Sequence, residues 1–144
     1  MAKATSSTPY LRTKVLTASP GELMVILHNA AISYCDRARQ KMLSQEFDES
    51  CDLIVRAEDV LMELSSGLRR EVYPELVENL ARLYEFVFHR LFECNCSRDP
   101  QKLTEVTDVL TVLRDTWVQV NRKEMDVEST QTPPSGSAGL ELSA

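Results

Sequence analysis

A seven-residue apolar repeat in the last third of the chain constrains the fold more than any other feature of the sequence. Its members recur at alternating steps of three and four residues: Leu103, Val106, Leu110, Leu113, Trp117 and Val120. This spacing places them on one face of an α-helix, and that face must pack against other helices to leave water. Asp99 can cap such a helix, and Pro100 suits its first turn. The repeat therefore predicts a helix with a buried seam.

The first of three earlier helices is predicted from its start signal. Ser19 can cap the helix, Pro20 suits its first position, and Glu22 completes a capping box three residues after the serine. We expect this helix to run to about Met42. Its predicted core stripe consists of Leu23, Leu27, Ala30, Tyr34 and Ala38, widened by Ile26 and Ala31.

Two further helices fill the middle of the chain. Asp48 is the predicted cap of the second helix, which should end near Leu68 because Gly67 and Pro74 are typical of a helix end and of the next helix start. The predicted core stripes are Ile54, Ala57, Leu61, Leu64 and Leu68 in the second helix, and Leu76, Leu80, Leu83, Val87 and Leu91 in the third.

Four helices of roughly 20 residues joined by short links predict an all-α fold, the antiparallel up-and-down four-helix bundle. Residues 1–8 are small and polar, and we expect them to be disordered. The bundle should occupy residues 9–124. Residues 125–144 are rich in Ser, Thr, Pro and Gly, which predicts a disordered tail because such a segment buries too little apolar area to offset its chain entropy.

Charge and hydropathy bound the function. The net charge is −6 over 144 residues, with +4 in residues 1–44 and −10 in the remainder, so an extended basic surface for nucleic acid is not expected. No apolar run approaches the roughly 18 residues of a membrane span, and the N-terminal residues do not resemble a secretory signal. We therefore expect a cytoplasmic protein without membrane insertion, whose four cysteines are reduced thiols.

Catalytic and metal-binding patterns are weak. His89 has Glu85 and Glu93 one turn away on either side, but one imidazole leaves a metal ligand set incomplete, and we expect a solvated face instead. His28 falls beside the apolar stripe, which favours a hydrogen-bonded histidine at the edge of the core. The sequence therefore predicts no enzyme, no metal and no cofactor, and phosphotransfer through His28 or His89 is the enzymatic alternative.

Apolar residues beyond those needed for one stripe per helix are the stronger functional signal. Leu53 and Val60 flank the stripe of the second helix, and Val77, Tyr84 and Phe88 flank that of the third. A wide, well-filled core is one interpretation of this surplus. Because residues 10–16 add further apolar side chains outside the helices, the other interpretation is a groove for a helical or extended peptide.

Residues 10–31, YLRTKVLTASPGELMVILHNAA, resemble the start of the flagellar secretion chaperone family FliS. The resemblance rests on Tyr10, Val15, Ala18, Ser19, Pro20, Leu23 and the run Leu27 to Ala31. It continues through residues 54–64, 79–91 and 110–117, so it covers about residues 9–122. His28 stands where the family usually has a tyrosine, and the link of residues 69–72 lacks the usual acidic, Gly-containing form.

The resemblance implies a helical bundle with an N-terminal capping segment around Tyr10. It also implies binding of the disordered C-terminal segment of flagellin, prevention of premature polymerisation and delivery to the flagellar type III export apparatus. Export-apparatus or regulatory proteins are further candidate partners, and an adaptor bundle for another export partner is the alternative. The expected partner-binding residues are Tyr10, Val15, Leu16, Leu53, Val60, Val77, Tyr84 and Phe88.

Overall fold

The computed structural model describes the backbone of residues 18–68 and 74–143, with side chains described as far as residue 123 and at Asp126. Four α-helices occupy the described residues: α1 (Pro20–Leu43), α2 (Phe47–Ser66), α3 (Pro74–Ser97) and α4 (Pro100–Ser143). No strand occurs within those ranges. The all-α class predicted from the sequence is therefore confirmed.

The start of α1 follows the local chemistry of its sequence. Ser19 has an extended backbone, its Oγ accepts a hydrogen bond from the Glu22 N–H at 3.2 Å, and Pro20 opens the helix. The acidic side chain of Glu22 in the first turn also complements the helix dipole. The predicted start of the first helix is confirmed.

The start of α2 differs from the prediction. The capping position is Glu46, whose side chain makes no capping hydrogen bond, and Asp48 lies within the first turn instead of capping it. Lys41 at the end of α1 forms ion pairs with Glu46 at 3.3 Å and Glu49 at 2.7 Å. These contacts join the end of α1 to the first turn of α2, where acidic side chains also favour the helix dipole.

Contacts between helix ends define an antiparallel bundle. Gly21 at the start of α1 lies against Asn121 of α4, and Gly67 after α2 lies beside Met24 of α1. Each helix packs on two neighbours: α1 on α2 and α4, most extensively, and α3 on the same two helices. The predicted four-helix bundle with neighbouring helices antiparallel is thus the observed architecture.

The buried seam of α4 is the predicted one. Leu103, Val106, Leu110 and Leu113 are buried, and Trp117 packs half-buried against the same core. The residues of the apolar repeat lie on one side of this helix, and only that side can be buried against the bundle. The periodicity of the helix therefore identified its buried face.

The seam of α3 is displaced from the prediction. Leu76 and Leu83, predicted as core, are exposed, and the buried heptad consists of Val77, Leu80, Tyr84, Val87, Leu91 and Cys94. The buried heptad keeps Leu80, Val87 and Leu91 of the predicted core stripe. It adds Val77 and Tyr84, which were predicted to flank that stripe, and Tyr84 hydrogen-bonds inside the core.

The seam of α1 is also displaced. Ala31 and Ala38 are buried as predicted, but the remaining predicted positions are only half-buried, and the buried heptad consists of Gly21, Met24, His28, Ala31, Cys35, Ala38 and Met42. Apolar residues lie on most sides of this helix, so its periodicity defines the buried face poorly.

The ends of the domain remain as predictions. Residues 1–8 and the apolar segment of residues 10–16 lie outside the described residues. The backbone of α4 is helical as far as Ser143, whereas the composition of residues 125–144 predicts disorder. Described contacts between α4 and α1 extend to Asn121, and the boundary at residue 124 stays a prediction.

Gly21→Ala should destabilise the bundle, because a Cβ atom at this position would lie 2.5 Å from the Asn121 Oδ1 atom. We expect a loss of about 1–2 kcal/mol in the free energy of unfolding, measured by urea denaturation. Adding Asn121→Ala should restore most of the lost free energy of unfolding, because the atoms close to the new Cβ belong to the Asn121 side chain. Because alanine is the better helix former by about 1 kcal/mol, a single variant more stable than wild type would contradict the close approach.

Candidate functional site

Exposed apolar side chains are concentrated on two of the four helices. Eight large apolar side chains are exposed in the described part of the chain, and six of them lie on α2 and α3: Val55, Met62, Leu76, Leu83, Phe86 and Phe92. The other two, Leu43 and Val112, lie on α1 and α4. A concentration of exposed apolar area on one part of a surface is typical of a site that binds another chain.

The residues predicted to bind a partner occupy three different environments. Leu53, Val77 and Tyr84 are buried, whereas Val60 and Phe88 are half-buried and pack against the core. Tyr10, Val15 and Leu16 lie outside the described residues. The structure therefore places most of the described candidates beneath the exposed surface, and their contribution to partner binding stays a prediction.

The six exposed residues on α2 and α3 are the positions that reasoning from the sequence missed. On α3, Leu76 and Leu83 belong to the stripe assigned to the core, and a seam through Val77 and Tyr84 would have identified both leucines as exposed. Phe86 and Phe92 belong to neither predicted stripe. On α2, Val55 and Met62 are seven residues apart, which places both on one exposed face. This spacing was the available signal, although two residues alone are weak evidence for a surface.

Three of the exposed residues form an apolar strip along α3, here called the α3 strip: Leu76, Leu83 and Phe86. Ion pairs adjoin one end of it. The Arg90 guanidinium lies 5.8 Å from the centre of the Phe86 ring and pairs with Glu93 at 2.9 Å and with Glu105 of α4 at 3.0 Å. The strip therefore combines apolar area with an anchored polar border, as binding sites for peptide segments commonly do.

A second, open groove of about 370 Å³ lies between α1 and α4. Val25 and Ile26 of α1 and Val118 of α4 supply its apolar lining, and Glu22 and Asn121 supply polar groups. It lies at the end of the bundle where residues 1–17 join α1. This groove was not predicted, because the register assumed for α1 placed Ile26 in the core.

A buried series of hydrogen bonds lies beneath the surface and is here called the polar series. The His28 Nδ1 atom lies 2.7 Å from the Met24 carbonyl oxygen, which can only accept, so Nδ1 donates. The Nε2 atom then accepts from the Tyr84 hydroxyl at 2.9 Å, and that hydroxyl oxygen accepts from the Trp117 Nε1–H at 2.9 Å. The polar series joins α1, α3 and α4 across the bundle.

Burial sets the protonation states of the polar series. Desolvation lowers the pKa of His28, the hydrogen bond to the Met24 carbonyl opposes this shift, and the positive charge of Arg114 adds to it. Desolvation also raises the pKa of Tyr84 to about 12, although the hydrogen bond from Trp117 opposes this. Both side chains are therefore neutral near neutral pH, which is the state that their hydrogen bonds require.

His28 is not accessible for phosphotransfer. His28 is fully buried and both its ring nitrogens are hydrogen-bonded, so a phospho-donor has no access to either nitrogen. The expectation of a hydrogen-bonded histidine is confirmed, although the ring lies inside the core and not at its edge. His89 is exposed, with its Nε2 atom 3.8 Å from Glu85.

The cysteines lie in two environments, and none of the four forms a disulfide. Burial raises the pKa of Cys35 to about 12 and that of Cys94 to about 11, so these thiols are protonated and poorly nucleophilic. Cys51 and Cys96 are exposed. Within the described ranges, no group of three or more His, Cys, Asp or Glu side chains is placed to hold a metal ion.

None of the helices in the described part of the chain combines the length and the apolar character that spanning a bilayer would require.

Comparisons with known proteins agree on one family. The model of the family described as "Flagellar protein FliS" matches residues 1–124. The flagellar secretion chaperone FliS of Bacillus subtilis (strain 168) is 28% identical over 133 residues, which cover 92% of this chain and 94% of the relative. The flagellar secretion chaperone FliSB of Pseudomonas aeruginosa is 32% identical over 107 residues, which cover 74% of this chain and 85% of the relative.

A solved structure, the crystal structure of a flagellar chaperone from bacteria, has the same fold. It aligns with a TM-score of 0.68 over 84% of this chain and 98% of its own. Its sequence is 15% identical to this one, so this likeness shows the fold alone.

Protonation of His28 should destabilise the bundle. The unfolded chain binds this proton with a pKa near 6.5, whereas burial lowers the pKa in the folded state. Stability from the neutral ring is therefore complete above pH 6.5 and is lost as the pH falls from 6.5 towards the lowered folded-state pKa. One proton contributes at most about 1.4 kcal/mol per pH unit to the free energy of unfolding.

Urea denaturation of wild type and His28→Gln between about pH 5.5 and 8 checks this expectation. Glutamine keeps hydrogen-bonding groups at this position but does not titrate. The two unfolding free energies should therefore approach each other as the solution is acidified. Parallel pH profiles would show that His28 does not carry the pH dependence.

Proposed function

This chain belongs to the FliS family, and from that premise we propose that it binds the disordered C-terminal segment of flagellin in the cytoplasm. The family is one of chaperones and not of enzymes. In the proposed role the bound chain keeps flagellin from polymerising before export and assists its delivery to the flagellar type III export apparatus. A bundle with unoccupied apolar surface suits this role, because a disordered client must exchange contact with water for contact with the chaperone.

The observation that carries this proposal is the concentration of exposed apolar side chains on α2 and α3. A segment that folds on binding loses conformational entropy, so useful affinity requires a large contact area. Leu76, Leu83 and Phe86 of the α3 strip follow one another at steps of seven and three residues, so they form one apolar stripe. An amphipathic helix can pack its apolar face against such a stripe. We infer that the client segment folds as helices against this face.

The remaining candidate residues have different proposed roles. Val60 and Phe88 are half-buried and would widen the contact at its base. Leu53, Val77 and Tyr84 would act from beneath by holding the shape of the surface. Tyr10, Val15 and Leu16 are proposed to cover part of the apolar face while no client is bound and to contact the client when it binds. Tyr10→Ala should therefore weaken flagellin binding without unfolding the bundle.

Replacing Leu83 and Phe86 together by glutamine should weaken binding of flagellin's C-terminal segment about tenfold or more, measured by calorimetry. Both side chains are already partly solvated, at 42% and 49% exposure, so the bundle should stay folded by far-UV circular dichroism. The physical reason is the loss of apolar area that the client would otherwise cover.

Leu43→Gln is the matched control, because Leu43 is an apolar residue that is 60% exposed and lies at the end of α1, which packs on α2 and α4. It should bind like wild type. Unchanged affinity in the double variant, or an equal loss in the control, would contradict binding at the α3 strip.

Co-purification from flagellated cells then separates the flagellin chaperone from an adaptor for another export partner.

A further inference from the structure

The outward face of α2 alternates acidic and apolar residues. Asp52, Val55, Asp59 and Met62, here called the α2 ridge, follow one another at steps of three, four and three, so they share one side of the helix. All four are exposed, Val55 by 45% and Met62 by 62%. The core seam occupies the opposite side of the helix, so the ridge is a second helical stripe, without a helix of this bundle against it.

The acidic residues of α2 are poorly compensated by cations. The helix contains six acidic residues and one basic residue, Arg56, which gives a net charge of −5. Within the described ranges, five of these carboxylates have no ion-pair partner: Asp48, Asp52, Glu58, Asp59 and Glu63. Several acidic residues elsewhere on the bundle are paired with arginine, as Glu93 and Glu105 are with Arg90.

The neighbouring carboxylates also disfavour one another. Partial burial raises the pKa of Glu58, and the adjacent charge of Asp59 raises it further. A cation placed beside these groups would relieve the repulsion. Exposed apolar area and uncompensated negative charge therefore occur together, and the ligand that satisfies both has apolar side chains interspersed with positive ones.

We propose that the α2 ridge docks a basic amphipathic segment of the client, in which lysine or arginine residues one helical turn apart flank apolar residues. This inference rests on the proposed function, because it assigns the chemistry of the chain that a chaperone of this family would receive. The apolar residues of the segment would cover Val55 and Met62, and its cations would lie against Asp52 and Asp59. Exposed ion pairs act over a short range in salt, so they select between segments more than they hold them.

Calorimetry of full-length protein tests this with two designed peptides about 20 residues long. Both have the same apolar stripe, one flanked by lysine and the other by glutamate, and the C-terminal segment of flagellin is measured in parallel. The variant D52N/D59N removes two charges of the ridge with little change of shape. The control D36N/D108N removes two exposed charges from α1 and α4, so it matches the change in net charge.

Wild type and D36N/D108N should bind the lysine peptide better than the glutamate peptide, and D52N/D59N should lose about fivefold in affinity for the lysine peptide. That loss should shrink between about 0.05 M and 0.5 M salt. Equal affinity of wild type for the two peptides would overturn the proposal. Equal losses of affinity in D52N/D59N and D36N/D108N would also overturn it, because they would reflect the net charge alone.

The flagellin measurement separates this inference from the proposed function. Suppose that wild type binds the flagellin segment, and that D52N/D59N has the same affinity as wild type for both this segment and the lysine peptide. The proposal for the α2 ridge is then refuted, and the chaperone function stands. If wild type does not bind the flagellin segment, the chaperone function is contradicted, and the peptide pair still tests the ridge. The variant R12Q/K14Q removes two positive charges from the chain's own N-terminal segment. If this variant and D52N/D59N both bind the flagellin segment more tightly than wild type does, the N-terminal segment occupies the ridge, which overturns the proposal.

Discussion

The hydrogen bonds of the polar series cross the bundle from α1 to α3 and α4, joining two helices that are not neighbours. His28 is fully buried, and a buried imidazole without partners would cost free energy comparable to several apolar contacts. Tyr84 supplies the partner only if α3 turns its tyrosine inward. The rotation of α3 about its own axis is therefore fixed by a polar contact as much as by apolar packing.

This rotation determines what the bundle presents to solvent. With Tyr84 and Val77 inside, Leu76, Leu83 and Phe86 lie on the outer flank of α3. The opposite rotation would bury these leucines, expose the tyrosine and leave the His28 Nε2 atom without its hydrogen-bond donor. The exposed apolar strip is thus a consequence of satisfying the buried histidine, and the stability of the core and the availability of a binding surface are linked through one helix.

The sequence predicted those features that depend on neighbouring residues. Ser19 and Pro20 start α1, Pro100 starts α4, and the seam of α4 is buried as its repeat requires. The register of α3 was not predictable in this way, because the two stripes are similarly apolar and the choice depends on a hydrogen bond between residues 56 positions apart. The positions of the candidate binding residues depend on the same choice, because Tyr84 and Val77 lie in the buried seam and Leu83 lies at the surface.

A chaperone surface must be apolar enough to receive a client and yet must not pair with a second copy of itself. Acidic residues beside Val55 and Met62 serve both requirements. Two α2 ridges brought together would gather four carboxylates, Asp52 and Asp59 of each copy, at one contact, and like charges at a contact are unfavourable. A segment bearing cations meets no such barrier. In the proposed role, the uncompensated charge of α2 therefore disfavours self-association through the apolar face and favours client segments that carry cations.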